Sequence, residues 1–104
     1  LFLDAANQVV RDEVMWEGSV NHVQIHPREV VRLALDVGAS ALILAHNHPS
    51  GRPKPSREDI SLTHHIVRAC ELLDIVVHDH LIIAAYGVFS MRKANHHLFE
   101  VLDT

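Results

Sequence analysis

Cysteine occurs once in the 104 residues, as Cys70. A lone thiol excludes an internal disulfide and any cysteine-rich zinc site, and it suits a reducing compartment. A cytoplasmic protein is therefore expected. No apolar run approaches the ~20 residues that span a bilayer, so no membrane role is expected. Nothing at the start has a signal-peptide pattern, although the chain opens with Leu1 rather than Met. Positive charge is also short: 9 Lys and Arg stand against 13 Asp and Glu, for a net charge of −4. That is the wrong sign for a protein whose main work is gripping phosphate backbones. Aromatic side chains for stacking bases are few: Trp16, Tyr86 and three Phe. No internal repeat, low-complexity run or linker divides the sequence. With 48% apolar and 21% charged residues, the composition is that of an ordinary globular protein. A single domain over residues 1–104 is expected, long enough to bury roughly 65% of the surface its unfolded chain exposes.

Histidine is abundant, 10 of 104 residues, which matters only if several converge. "LFL" (1–3) and "QVVRDEVMW" (8–16) read as strands around the turn "DAAN", where Asp and Asn suit a tight reversal. Gly18 breaks the second strand, and "SVNHVQI" alternates as a further extended segment. "HPREVVRLALDVG" (26–38) has Pro27 in its first turn, Glu29 early and Gly38 past its end, which predicts a helix. Its buried face would be Val30, Val31, Ala34, Leu35 and Val37. "SALILAHN" (40–47) is a continuous apolar run ending in polar residues, as a central strand requires. "SREDISLTHHIVRACELLD" (56–74) is the clearest helix. Ile60, Thr63, Ile66, Val67, Cys70 and Leu73 share one face; Glu58, Ser61, His65, Arg68 and Glu71 share the other. "IVVHDHLIIAA" and "GVFSMR" predict closing strands joined by a turn near Tyr86 and Gly87. From Lys93 on, weak periodicity fits a short helix or a frayed tail. This order implies an α/β protein with a mixed central β-sheet covered by two main helices.

Between the central strand and the long helix lies "AHNHPSGRPKPSRED" (45–59). His46 and His48 close the strand, where side chains at i and i+2 share a face about 7 Å apart at Cα, so two imidazoles can converge on one ion. Asp59 falls in the first turn of the helix, with Ser56 as its N-cap. Stability alone accounts for this second pair. Ser-x-x-Asp resembles a capping box, worth about 1 kcal/mol over Ala, and an acid there complements the helix dipole. Capping does not account for two histidines at a strand end, nor for a loop stiffened by Pro49, Pro53 and Pro55. A carboxylate has two oxygens, so one can cap while the other ligates. Two His and one Asp with an open fourth position is the pattern of a catalytic zinc site, since structural zinc is normally closed by four protein ligands. Such an ion lowers the pKa of bound water toward ~7 and polarises a carbonyl. The sequence lacks both the H-E-x-x-H of common metalloproteases and the H-x-E…P-C-x-x-C of nucleobase deaminases.

The spacing resembles the JAMM (MPN+) metalloprotease motif, H-x-H-P-x6-S-x-x-D. It fits without a gap over His46, Asn47, His48, Pro49, six residues, Ser56, Arg57, Glu58 and Asp59. Within that superfamily the chain resembles the bacterial RadC-like proteins through "HPREVV" (26–31), "ASALILAHNHPSG" (39–51), "PSREDISLT" (55–63) and "DHLII" (79–83). The likeness runs from "LFLDAANQVV" to "VFS", nearly the whole chain. It implies the JAMM/MPN, cytidine-deaminase-like architecture, and one zinc ion held by His46, His48 and Asp59 with water as fourth ligand. Ser56 would hydrogen-bond the oxyanion of a tetrahedral intermediate. The implied reaction is amide hydrolysis on a peptide or protein substrate, at peptide or isopeptide bonds.

JAMM chemistry also needs a glutamate as general base. In RadC-like sequences it lies a few residues before the strand that here begins "LFLD". None of the upstream acids Glu13, Glu17 and Glu29 occupies the matching position. The expectation is a trimmed domain, competent to bind metal and weak or inactive in hydrolysis. Glu13 and Glu17 are read as decorating a strand rim, and Glu29 as serving a helix dipole. Asp79 and His80 have two readings, as partners orienting a metal-bound imidazole or as residues buried at the sheet. His64 and His65 are read as solvated, His96 and His97 as tail residues, and His22 and His26 as flanking the first helix, His26 as its cap. The alternative function is a DNA-repair-associated binding or accessory module without hydrolase activity. Only the basic loop with Arg52, Lys54 and Arg57 offers DNA a contact, and such a loop is usually just solvated. A third reading, a metal-free scaffold, is opposed by the intact His-His-Asp set.

Overall fold

The structure, a computed structural model, describes residues 1–15, 25–48 and 51–100. Its elements are β1 (Phe2–Leu3), β2 (Val9–Arg11), α1 (Pro27–Asp36), β3 (Ala41–Asn47), α2 (Arg57–Glu71), β4 (Val76–Ala84), β5 (Gly87–Ser90) and α3 (Met91–Ala94), then a 3-10 turn over His96–Phe99. The strands form one sheet in the order β2-β1-β3-β4-β5. Among the described residues only the β3–β4 pairing is parallel. This is the mixed α/β arrangement expected, with the apolar run of β3 in the middle. None of the described helices is long and apolar enough to cross a membrane.

Local chemistry sets the element ends. In the β1–β2 turn, Asp4 Oδ1 accepts from the N–H groups of Ala6 and Gln8, both at 2.9 Å, and Asn7 takes the left-handed conformation at φ 60°. Pro27 opens α1, and Gly38 closes it at φ 69°, a left-handed conformation that glycine adopts without strain. Ala39 N–H then reaches back to Ala34 O at 2.9 Å. One shared core holds the layers together. Phe2, Leu42, Val77 and Ile82 from the sheet pack with Val30 and Ala34 of α1 and with Ile66, Val67 and Cys70 of α2. Each Val, Leu, Ile or Phe side chain among them, fully buried, stabilises by roughly 1.5–3 kcal/mol. Burial pushes the Cys70 thiol up to about 11, so it is an inert core residue.

The pairing of β4 with β3 is irregular where it matters most. Leu42 lies opposite Val77, but Ile43 lies opposite Asp79, so β4 has one residue, His78, beyond the regular count. Successive strand residues point to opposite faces. In an unbroken ladder Asp79 would sit opposite Leu44; with the bulge, His80 takes that place and His46 faces Ile82. Phe2, Leu42, Leu44, His46, Val77, His80 and Ile82 therefore line a single face. Several polar groups at the bulge have partners outside the ladder. Arg92 donates from Nε to His78 O and from Nη2 to Val77 O, at 3.2 Å for the latter. Asp79 Oδ1 accepts from the N–H groups of His80 (2.7 Å) and Arg92 (3.0 Å), and Ser90 Oγ donates to Asp79 Oδ2.

Several sequence expectations need correction. The second strand stops at Arg11 rather than reaching position 16; Asp12 and Glu13 follow it, exposed and poor strand formers. Leu35 is 54% exposed, because the buried stripe of α1 is only the i, i+4 pair Val30 and Ala34. Leu73 is likewise exposed. The last strand ends at Ser90, whose Oγ caps α3 by accepting from Lys93 N–H at 3.2 Å. Of the two readings of the tail, the short helix is found and not fraying through Phe99: α3 and the 3-10 turn form it, Leu98 and Phe99 are buried, and Arg68 donates to Leu98 O and Glu100 O. The expectations placed on Trp16, Glu17, Gly18, most of "SVNHVQI", His22 and Pro49 lie outside the described residues.

Replacing Arg92 by Met keeps the bulk and removes the donors to both bulge carbonyls. Urea unfolding should show a loss of about 1–3 kcal/mol; an unchanged midpoint would mean that water serves those carbonyls equally well.

Candidate metal centre

His46 and His48 leave the end of β3 toward the start of α2, and the register explains why they can meet. His48 N–H donates to Ile83 O at 2.9 Å, which carries the backbone one residue past β3 while still tied to β4. The loop beyond returns through Gly51, at φ 80°, where an added Cβ would lie 3.2 Å from the Tyr86 ring. Tyr86 N–H closes this contact by donating to Gly51 O at 3.2 Å. At Arg57 the chain enters α2 through a complete capping box. Asp59 N–H donates to Ser56 Oγ at 3.0 Å, and Ser56 N–H donates to Asp59 Oδ2 at 2.7 Å.

These anchors bring the three expected ligands together. One donor atom from each of His46, His48 and Asp59 lies within 4.8 Å of the others. His48 Nε2 is 3.0 Å from Asp59 Oδ2, and His46 Nε2 is 3.2 Å from Asp59 Oδ1. The second approach is close but misaligned, so His46 Nε2 is a buried nitrogen without a hydrogen bond. Buried polar atoms are seldom left so; a lone pair available to a cation would account for this one. Asp59 is 2% exposed. Burial alone would raise its carboxyl, but His46 and the Ser56 N–H and hydroxyl outweigh burial and hold it well below the usual carboxylate range. The chemistry fits a divalent ion: two imidazoles and an ionised carboxylate, on three separate backbone anchors.

The far nitrogens are also held. His48 Nδ1 lies 3.1 Å from Arg52 O, and His46 Nδ1 lies 2.7 Å from His80 Nε2. His80 Nδ1 lies 2.5 Å from Thr63 Oγ1, which donates to Asp59 O at 2.7 Å. His80 is 3% exposed. Burial, and next the neighbouring His46, push it down to about 4, so its ring is neutral near pH 7. His80 is thus buried at the sheet and also within hydrogen-bond distance of His46, so burial does not exclude the orienting reading. Asp79 is not bonded to any of the three ligands; it serves the bulge instead.

A family model described as a RadC-like JAB domain matches residues 1–97. The chain belongs to that family. The suspected resemblance and the α/β architecture are thereby established for this RadC-like domain, and a group able to hold a metal sits where the motif requires.

Other sequence candidates lie elsewhere. Glu13 is paired with Arg11 at 3.1 Å, and Glu29 is exposed in the first turn of α1. No glutamate joins the ligand group among the described residues. His26 is the N-cap of α1 but makes no side-chain capping bond. His64 and His65 are exposed, and His96 pairs with Glu100 at 3.1 Å. Thr63 escaped the sequence reading because it falls within the apolar face of α2. The available signal was its place four residues after Asp59, where a hydroxyl can reach back to the carbonyl of the preceding turn.

Ser56→Ala removes one half of the capping box and leaves the carboxylate in place. Thermal unfolding of the metal-free protein should show a cost of about 1 kcal/mol. An unaltered melting temperature would mean that Asp59 and the dipole alone start the helix.

Proposed function

We propose that this RadC-like domain is a zinc-dependent hydrolase of the JAMM type for peptide or isopeptide bonds, with weak turnover, because no glutamate base joins the triad among the described residues. The observation that carries the reading is the bare, buried Nε2 of His46, facing Asp59 Oδ1 beside the matching pair of His48 and Asp59. His46, His48 and Asp59 would hold the ion. Zinc in such a site supplies a Lewis acid and lowers the pKa of water.

The chain's own residues supply the rest. Asp59 contributes charge without losing its hold on the helix, since Ser56 N–H occupies its Oδ2. Ser56 Oγ accepts from Asp59 N–H, which uses a lone pair and leaves the hydroxyl proton able to donate. That proton would stabilise the oxygen of a substrate carbonyl as negative charge develops on it, the role of an oxyanion-hole donor. The DNA-associated reading draws no support from a net charge of −4.

Elemental mass spectrometry after zinc loading should find close to one zinc per chain, and almost none in His48→Ala or Asp59→Asn. No zinc in the parent protein would end the metal-centre reading. Hydrolysis is tested separately on a quenched-fluorescent peptide set and an isopeptide conjugate. Turnover by the zinc-loaded protein that falls about 10²–10³-fold in Ser56→Ala would support the enzyme. Zinc without turnover on either substrate would leave a metal-binding module.

A further inference from the structure

We infer that His80 is a positioning residue for the ligand His46: acting with Thr63, it fixes His46 as the tautomer whose proton is on Nδ1 and whose Nε2 lone pair faces the ion. The inference rests on the metal-centre reading above for its consequence, and on hydrogen-bond directions for its substance.

The direction follows from counting protons. A threonine hydroxyl has one proton to give, and Thr63 gives it to Asp59 O, 2.7 Å away. Toward His80 Nδ1 it can then only accept, so His80 bears its proton on Nδ1. A neutral imidazole has one proton; His80 Nε2 is therefore a bare acceptor. Facing it at 2.7 Å, His46 Nδ1 must be the donor. The opposite direction would put a proton on His46 Nε2, aimed at Asp59 Oδ1. That contact, at 3.2 Å, is not aligned for a hydrogen bond, and the nitrogen is left bare. The observed geometry suits a lone pair there and not a proton.

Three features make this a built device. His80 reaches His46 only because of the β4 bulge, which Asp79 and Arg92 hold through five hydrogen bonds. Beyond Asp59 in the first turn, the buried face of α2 is apolar at Ile66, Val67 and Cys70, yet Thr63 on it is fully buried. Finally, the bonds run from one ligand to the backbone of another, from His46 through His80 and Thr63 to Asp59 O. The side chain set on β3 is thus registered to the turn of α2 that carries the third ligand.

The test pairs tautomer spectroscopy with metal affinity. Long-range 1H–15N spectra of the imidazole rings, on metal-free and zinc-loaded protein, should place the proton on Nδ1 of both His80 and His46. A proton on Nε2 of His80 in either form, or on Nε2 of His46 in the loaded form, overturns the proposal. Zinc affinity, measured by competition with a chromophoric chelator, should fall about 10–100-fold in His80→Leu and in Thr63→Val. His80→Gln, which keeps one acceptor and one donor, and Thr63→Ser should stay near the parent. A folded His80→Leu that binds zinc like the parent also overturns it. If His80→Leu fails to fold, the spectra of the parent decide. A parent that binds no zinc retires the metal-centre reading, while its metal-free spectrum still decides the relay.

Discussion

Between Val77 and Asp79, β4 carries one residue more than the β3 segment opposite, and that insertion decides which side chain meets His46. A regular ladder would turn Asp79 toward the buried face. A second carboxylate would then lie beside Asp59 in a place of low dielectric, where like charges disfavour each other's ionisation. The bulge substitutes a neutral, buried imidazole. The exchange has a local cost, since it takes ladder groups out of register, and Arg92 offsets it by donating to the carbonyls of Val77 and His78. The Arg92 guanidinium also lies 5.1 Å from the centre of the Phe99 ring, which ties the 3-10 turn to the same point. The centre and the C-terminal turn thus depend on one irregularity in one strand.

At the start of α2, stability and chemistry use the same atoms. Asp59 satisfies the Ser56 N–H and complements the helix dipole, which favours its ionised form. An ionised carboxylate is also what a divalent cation requires. The cap therefore holds the carboxylate in the form a cation would need, and the two readings do not compete. The same economy applies to Ser56, which caps with a lone pair and keeps a proton to donate.

Much of this was legible in the chain. The ligand triad follows from His46, His48 and Asp59 at motif spacing, and the sheet with its two main helices follows from periodicity and caps. The parts that were not legible share a physical cause, in that they depend on long-range register. The sequence "VVHDHLII" alternates too loosely to reveal a bulge, so which of Asp79 and His80 turns inward could not be read from it. Thr63 reads as filler in an apolar helix stripe because its partner is 17 positions away, on β4. Arg92 sat in what read as a strand, although its work is done across the chain reversal. Leu98 and Phe99 looked like tail because too few residues remain there to show a period.

The two imidazoles end the same strand but are oriented in different ways. His46 leans on His80, 34 positions away, and through it on the core. His48 leans on Arg52 O, only four positions away and at the exposed side. The first orientation is as firm as the sheet and α2 together. The second is only as firm as the loop, because a carbonyl can fix a ring only if its own backbone is fixed. Pro53 follows Arg52 directly, and a residue before proline is confined to extended conformations. Pro55 next restricts Lys54, and Gly51 is held by Tyr86. The proline-rich stretch therefore does for His48 what the bulged strand does for His46. A stiff loop and a metal site are not competing readings of these residues, since such stiffness is what a second ligand would need to keep its aim.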